Sequence, residues 1–164
     1  MIFVTVGTHE QPFNRLIKYV DLLVKQKDIV EKVVVQAGYS TYIPQNCKFY
    51  KMMSFEEMQK AYKNARIIIT HGGPSSFIEA LQYGKVPIVV PRQYKYHEHI
   101  NDHQVEFVKL VADRMKNIIP IYEINELKDA INNYDDLIKD IKVKEFSNNI
   151  EFNKNLSKII DKLV

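Results

Sequence analysis

The sequence has little cysteine, few glycines and no long apolar run. Cys47 is the only cysteine among 164 residues, which excludes an internal disulfide and fits a reducing cytoplasm. No apolar stretch approaches the roughly 20 residues needed to span a bilayer. The N-terminus lacks the basic start and the small-residue cleavage site of a signal peptide. We therefore expect a cytoplasmic protein whose contact with a membrane is peripheral and made through a partner.

The charge of the chain is also nearly balanced. Lys and Arg total 23 and Asp and Glu total 20, so the formal net charge is +3. Because the basic residues are scattered, nucleic acid is not expected as a partner. A hydrophobic content of 46% is ordinary for a soluble globular protein. The length suits one domain over residues 1–164, with C-terminal helices over about 124–164.

Short apolar strands alternate with amphipathic helices along the chain. Parallel neighbours in a sheet need helical crossovers, so the alternation predicts an α/β protein with a Rossmann-like, doubly wound, mostly parallel sheet. Residues 37–46 predict a loop in place of a crossover helix, and Ser54 with Glu57 predicts a capping box. The predicted strands are 2–6, 32–37, 47–52, 66–70, 86–90 and 117–121, and the predicted helices are 13–24, 54–65, 75–83, 100–113, 126–133 and 144–163.

All five histidines follow predicted strands. They are His9 after the first strand, His71 after the fourth, and His97, His99 and His103 after the fifth. In a doubly wound sheet the carboxyl ends of the strands form the edge at which ligands bind. The clustering therefore predicts a binding site at this edge.

The turn "THGGPSS" joins the fourth strand to a helix. Gly72 and Gly73 lack Cβ atoms, so their amides can approach a ligand closely, and a helix N-terminus favours a phosphate. Ser75 and Ser76 either donate hydroxyls to phosphate oxygens or cap the helix, and a plain capped turn is the alternative. Glu79, one turn further, is placed to accept both hydroxyls of a ribose.

The loop "GTHEQPF" after the first strand has the same arrangement of glycine, polar residues and helix. Thr8 is placed to bind a phosphate, and His9 is placed to reach a reacting centre. The alternative is a helix cap followed by a solvent-facing histidine.

The polar stretch "YHEHINDHQVE" raises the question of a metal centre. An H-E-x-x-H motif would need histidine at position 101, where Asn101 stands, and an H-x-H-x-D-H motif would need aspartate there. We therefore expect no catalytic metal, with a metallo-hydrolase as the alternative. Asp102, His103 and Gln104 offer the dense donors and acceptors that bind sugar hydroxyls.

The segment "ARIIITHGGPSSFIEALQYGKVPIVVPRQYKYHEHINDHQ" resembles the C-terminal, donor-binding domain of family 28 glycosyltransferases. The start "MIFVTVGTHEQPFNRLI" and the short length resemble the soluble subunits of split glycosyltransferases in bacterial capsule and exopolysaccharide synthesis. These are similar to the soluble subunit of the dolichol-linked GlcNAc transferase. The resemblance covers about residues 1–115. It implies a fold equivalent to the C-terminal half of a GT-B glycosyltransferase.

The resemblance also implies a UDP-sugar as donor substrate, with no cofactor and no metal. The turn at 72–76 would hold the pyrophosphate, Glu79 the ribose, and the segment 102–104 the donor sugar. Helix amides would neutralise the leaving diphosphate. The implied binding residues are Thr8, Gly72, Gly73, Ser75, Ser76, Glu79, Asp102, His103 and Gln104.

The activity implied is that of an inverting hexosyltransferase acting on a lipid-linked oligosaccharide, with a galactosyl, glucosyl or GlcNAc donor. A separate membrane-anchored subunit would bind the acceptor and place this chain at the inner face of the cell membrane. His9 is the candidate catalytic base, unless the base lies in the partner. The alternative is a non-catalytic enhancer of the membrane subunit, and a homodimer of the isolated chain is left open.

Overall fold

The computed structural model describes residues 1–141 and shows an α/β fold around a six-stranded sheet. The strands are β1 Ile2–Thr5, β2 Val33–Gln36, β3 Lys48–Tyr50, β4 Ile67–His71, β5 Ile88–Val90 and β6 Ile119–Pro120. Their order in the sheet is β3-β2-β1-β4-β5-β6, and every neighbouring pair is parallel. The chain winds outward from β1 and then from β4 on its other side, which confirms the predicted doubly wound topology.

Helices connect most of the strands. Those within residues 1–141 are α1 Asn14–Lys25, α2 Phe55–Asn64, α3 Pro74–Gln82, α4 His103–Met115, α5 Glu126–Asn132 and α6 Tyr134–Leu137. None of them is long and apolar enough to cross a membrane. The helix predicted at 144–163 lies outside the described residues.

Alternate residues of β1 enter two apolar layers on opposite faces of the sheet. Val4 belongs to the layer that contains Leu16 of α1. Phe3 belongs to the other layer, where its ring meets that of Tyr62 from α2 edge to face, with centroids 5.3 Å apart. Burying a large apolar side chain contributes about 1.5–3 kcal/mol. Packing on both faces fixes the helices against the sheet. Because all the strands are parallel, the loops that follow them lie at the carboxyl edge.

The capping box at the start of α2 is confirmed. The hydroxyl of Ser54 accepts a hydrogen bond from the amide of Glu57 at 3.2 Å, and the Glu57 carboxylate accepts one from the Ser54 amide at 2.8 Å. Two amides that the helix cannot satisfy internally are thereby paired. This fixes the point at which α2 begins.

The loop predicted at residues 37–46 is also confirmed, and hydrogen bonds to Asp21 of α1 hold it in place. The Asp21 carboxylate accepts hydrogen bonds from the Tyr42 hydroxyl and the Asn46 amide, both at 2.7 Å, and from the Gln45 amide at 3.1 Å. Burial opposes the charge of Asp21, but these hydrogen bonds outweigh it and lower the pKa. Side-chain acceptors thus replace the backbone pairing that a crossover helix would supply.

Helix α4 begins later than the predicted residue 100. The Asp102 carboxylate accepts a hydrogen bond from the Tyr94 amide at 2.9 Å, and the Asn101 side chain accepts one from the His103 amide at 3.2 Å. Short polar side chains that bind nearby backbone compete with helix formation. The stretch before His103 therefore forms turns, including a left-handed residue at His97 with φ 56°.

Candidate functional site

A cavity of about 510 Å³ opens at the carboxyl edge of the sheet. It lies where the loop after β1 meets the turn after β4, and these are the two strands between which the order of the sheet reverses. Such a switch point is where doubly wound sheets bind ligands. Of the predicted site residues, the cavity is lined by Thr8, His9, Ser75, Ser76 and Glu79.

The imidazole of His71 occupies the space that side chains at Gly7 and Gly73 would need. A Cβ at Gly7 would lie 2.5 Å from Cε1 of His71, and a Cβ at Gly73 would overlap the same ring. The backbone of Gly73, with φ −75° and ψ 130°, is open to any residue. Packing around His71 thus explains the glycine at 73 without invoking a ligand that approaches its backbone.

His71 itself is a cavity residue for which the sequence suggested no specific role. Only 8% of it is exposed. Burial, followed by the positive charge of Arg92, lowers its pKa to about 4, so the ring is neutral at pH 7. Its Nδ1 has no hydrogen-bond partner among the described residues. A buried polar atom without a partner is costly, and the contact with Gly7 and Gly73 fixes the ring in this position. The only signal in the sequence is a histidine that ends a buried apolar strand.

The first turn of α3 opens into the cavity without a side-chain cap. Gly73 is the N-cap residue, Pro74 takes the first helical position, and neither Ser75 nor Ser76 caps the helix. The capping alternative for the two serines is therefore wrong. Within residues 1–141, the amides of Ser75 and Ser76 donate no hydrogen bond to the backbone or to a side chain. These amides and the positive end of the helix dipole remain available to an anion.

Glu79 lies on the same face of α3 as the two serines and is half-buried. Residues four apart in a helix are neighbours on its surface, which places the carboxylate one turn along from Ser75. Tyr62 of α2 also lines the cavity, and its hydroxyl donates a hydrogen bond to the carbonyl of Ser76 at 3.1 Å. This contact sets the position of α3 against α2.

One wall of the cavity is apolar and was not predicted as part of the site. It consists of Met52 and Met53 after β3 together with Phe55 and Met58 of α2. Phe55 is 70% exposed, which is unusual for a phenylalanine in a folded domain. Flexible thioethers and an aromatic ring provide a surface on which a planar group can pack. Their convergence depends on the position of β3 in the sheet, which the sequence does not show.

His9 lies in the cavity with one ring nitrogen already occupied. Its Nδ1 accepts a hydrogen bond from the amide of Gln11 at 3.2 Å, so the proton of the neutral ring lies on Nε2. Burial and the charges of Arg92 and His99 lower its pKa, while Glu10 raises it. In this arrangement Nε2 is a hydrogen-bond donor. A role as base stays a prediction and requires Nδ1 to release Gln11 and take the proton.

Gln104 does not line the cavity, and its carbonyl oxygen binds the protein. Oε1 accepts hydrogen bonds from the amides of Gly72 and Arg92, each at 3.1 Å. A Cβ at Gly72 would lie 2.9 Å from the Cβ of Gln104, so this glycine allows the close contact. The amide of Gly72 is therefore taken by Gln104. The predicted contact of Gln104 with a sugar would have to use its NH₂ group.

Asp102 and His103 also lie outside the cavity lining. The carboxylate of Asp102 holds the Tyr94 amide, as described above. His103 is exposed, with Nδ1 3.6 Å from the Glu106 carboxylate. Their contact with a donor sugar stays a prediction.

No group of three or more histidine, cysteine, aspartate or glutamate side chains within residues 1–141 is arranged to hold a metal ion. His9 and His99 do lie together, with ring centroids 4.8 Å apart. The exposed His97 and His103 do not line the cavity. Of the five histidines, His9 and His71 therefore line the cavity and His99 packs against His9, while His97 and His103 lie outside the lining.

Fold and cavity together define a Rossmann-like α/β domain with a cavity at the switch point of its sheet. Residues 1–162 match the model of the glycosyltransferase family 28 C-terminal domain, and the chain belongs to this family. A search of curated proteins found no significant match.

Solved structures with the same fold include two glycosyltransferases. The glycotransferase of kitacinnamycin is 17% identical over 85% of this chain, with a TM-score of 0.59. MurG of Acinetobacter baumannii is 18% identical over 82% of this chain, with a TM-score of 0.55. The matched region covers 35% of the first chain and 41% of the second. At these identities the likeness shows the fold, which is that of a GT-B glycosyltransferase domain.

Proposed function

We propose that the chain binds a UDP-sugar and is the catalytic subunit of a two-component glycosyltransferase. The observation that carries the proposal is the uncapped start of α3, where Ser75 and Ser76 line the cavity and their amides have no partner within residues 1–141. Membership of family 28 supports it. The enzyme transfers a galactose, glucose or N-acetylglucosamine unit to a lipid-linked oligosaccharide in capsule or exopolysaccharide synthesis.

The cavity offers a matching group for each part of UDP. The first turn of α3 faces the diphosphate, whose charge its amides neutralise without a metal ion or cofactor. Glu79 accepts hydrogen bonds from the ribose hydroxyls. The apolar wall from Met52 to Met58 packs against the uracil ring. Thr8 and His9 lie across from α3, on the side of the cavity formed by the loop after β1, where the donor sugar and its β-phosphate are held.

The proposed reaction is an in-line displacement with inversion at the anomeric carbon. The acceptor oxygen forms a bond to this carbon as the bond to the UDP oxygen breaks, and UDP leaves with the electron pair. A base takes the proton of the acceptor hydroxyl. Because Nε2 of His9 carries a proton in the present geometry, His9 is better suited to donate a hydrogen bond to the donor. The base then lies in the partner subunit.

The partner in this proposal is a membrane-anchored subunit that binds the acceptor and keeps this chain at the inner face of the membrane. Exposed apolar side chains at the carboxyl edge support a protein partner there, because such groups at a site rim mark interfaces. Tyr39 is 50% exposed, Tyr94 is 58% exposed and Ile100 is 70% exposed. The two solved structures also carry more than this domain in one chain.

Calorimetric titration of UDP tests the donor site. Glu79→Ala is expected to weaken UDP affinity by about 1–3 kcal/mol, the usual loss for a charged hydrogen bond. Glu106→Ala, at an exposed glutamate on α4, is the matched control and should bind UDP like the wild type. With 2′,3′-dideoxy-UDP the Glu79→Ala effect should vanish, because the hydroxyls are gone.

Failure of the wild type to bind UDP would contradict the catalytic proposal. If the chain were still needed for sugar transfer by a co-expressed membrane subunit, the non-catalytic enhancer would be the better description. If Glu79→Ala weakened the binding of UDP and of the dideoxy analogue equally, the proposed contact between Glu79 and the ribose would be wrong. The proposal that the cavity binds UDP would still stand.

A further inference from the structure

Arg92 is a fully buried cation just after β5, next to the cavity wall. It is 0% exposed, and the acceptors of its side-chain hydrogen bonds within residues 1–141 are carbonyl oxygens. Nη1 donates to the carbonyls of Gln11 at 2.6 Å and Glu98 at 3.1 Å, and Nη2 donates to the carbonyl of Val6 at 2.9 Å. The ring of Phe13 lies 4.9 Å from its guanidinium carbon. An arginine is rarely buried completely unless its charge is paired or its donors are hydrogen-bonded, because burial of a charge is costly.

Two of these carbonyls bracket the loop that carries Thr8 and His9. Val6 precedes the loop and Gln11 follows it, 86 and 81 residues away from Arg92 in sequence. One planar guanidinium with fixed donor directions holds both ends. The same loop has no regular secondary structure of its own. Arg92 therefore holds both ends of this loop, and the side chain of Gln36 donates a further hydrogen bond to the carbonyl of Gly7 at 3.2 Å.

Within residues 1–141, Arg92 makes no ion pair with a carboxylate. The carboxylate of Glu98 is bound by Arg15 through two hydrogen bonds of 2.9 Å and by the Gln93 amide at 3.1 Å. Glu98 meets Arg92 through its backbone carbonyl instead. Burial lowers the pKa of Arg92 to about 10, so the side chain still carries its charge at pH 7.

We propose that Arg92 is a positioning residue that holds the Thr8–His9 loop in its binding shape and places a fixed positive charge behind the diphosphate site. It does not touch the donor. Burial, together with the charge of Arg92, lowers the pKa of both His9 and His71, so these rings remain uncharged hydrogen-bonding groups. The inference rests on the proposed function, because the loop matters only if the cavity binds the donor.

The first test measures the titration of His9 by NMR in the ligand-free protein. The charged or titratable groups that act on the His9 ring are Arg92, His99 and Glu10, and His71 interacts with it electrostatically. Arg92→Met should raise the pKa of His9, because a positive charge close by is lost. Arg66→Met, which removes a cation at the amino edge of the sheet, should leave the titration unchanged. An unchanged His9 pKa in a folded Arg92→Met protein would overturn the electrostatic part of the proposal.

The second test measures UDP affinity. Arg92→Lys retains the charge, so His9 should titrate nearly as in the wild type. An ammonium cannot hold both ends of the loop, and we expect UDP affinity to fall about tenfold in Arg92→Lys and at least as much in Arg92→Met. Thermal unfolding of both variants, with Arg66→Met as reference, separates lost stability from lost positioning. If Arg92→Met does not fold, the UDP affinity of Arg92→Lys alone tests the positioning role.

These outcomes separate the inference from the proposed function. Wild-type affinity for UDP in both Arg92 variants would overturn the positioning role while leaving the donor site intact. Absence of UDP binding by the wild type would overturn the proposed function, and with it the positioning of a donor-binding loop. The His9 titration would then still show whether Arg92 sets the charge state of that loop.

Discussion

At the scale of single residues, the site is organised around His71. Its ring fills the space left by Gly7 and Gly73, so it links the loop after β1 to the turn after β4. The same ring lines the cavity and keeps one nitrogen without a partner among residues 1–141. His71 therefore packs the two loops together and also forms part of the cavity lining.

The buried His71 predicts a loss of stability in mild acid. The unfolded chain takes up a proton at His71 near pH 6.5, whereas the folded chain resists it until about pH 4. The contribution of neutral His71 to the free energy of unfolding is therefore fully present above pH 6.5. It is lost as the pH drops towards 4, and about 2 kcal/mol is lost between pH 7 and pH 5. Denaturant unfolding at these two pH values measures this loss.

The matched protein for that measurement is His71→Asn, which lacks the titrating ring. It should be less stable at pH 7 but should lose about 2 kcal/mol less than the wild type on acidification. The same pH dependence in both proteins would show that His71 is not held neutral by the fold.

At the scale of secondary structure, α2 is fixed at both ends. Its start is held by the Ser54 and Glu57 capping box. At its end, the ammonium group of Lys85 donates hydrogen bonds to the carbonyls of Tyr62, Lys63 and Ala65. A cation at a helix C-terminus also complements the helix dipole. Because α2 carries part of the apolar cavity wall, these contacts fix the shape of the site.

Replacement of Lys85 tests the fixed end of α2. Lys85→Met keeps the aliphatic stem and removes the charge and the donors, so we expect the free energy of unfolding to fall by about 1–3 kcal/mol. Lys60→Met, at an exposed position on the same helix, is the control and should change stability by less than about 0.5 kcal/mol. Equal effects in denaturant unfolding would show that Lys85 does not hold the helix.

At the scale of the whole molecule, the sheet and the location of the cavity followed from local sequence patterns. Buried strands read as apolar runs on both faces, and parallel strands place their carboxyl ends at one edge. The loop at 37–46 was predicted because it lacks helical periodicity.

The parts of the site that escaped prediction depend on contacts between distant segments. The packing of His71 against Gly7, and the span of Arg92 across Val6 and Gln11, join residues that are far apart in sequence. No periodicity or motif encodes such pairs. The role of Gln104 could not be predicted for the same reason. Its polarity suggested a contact with the donor sugar, but its side-chain oxygen accepts hydrogen bonds from two backbone amides of distant residues.

The most direct test of donor binding is a crystal structure of the protein with UDP. We expect diphosphate oxygens within hydrogen-bond distance of the Ser75 and Ser76 amides, the ribose hydroxyls on Glu79, and the uracil against the apolar wall that includes Met58. A nucleotide bound elsewhere, with the first turn of α3 left empty, would show that this cavity is not the donor site.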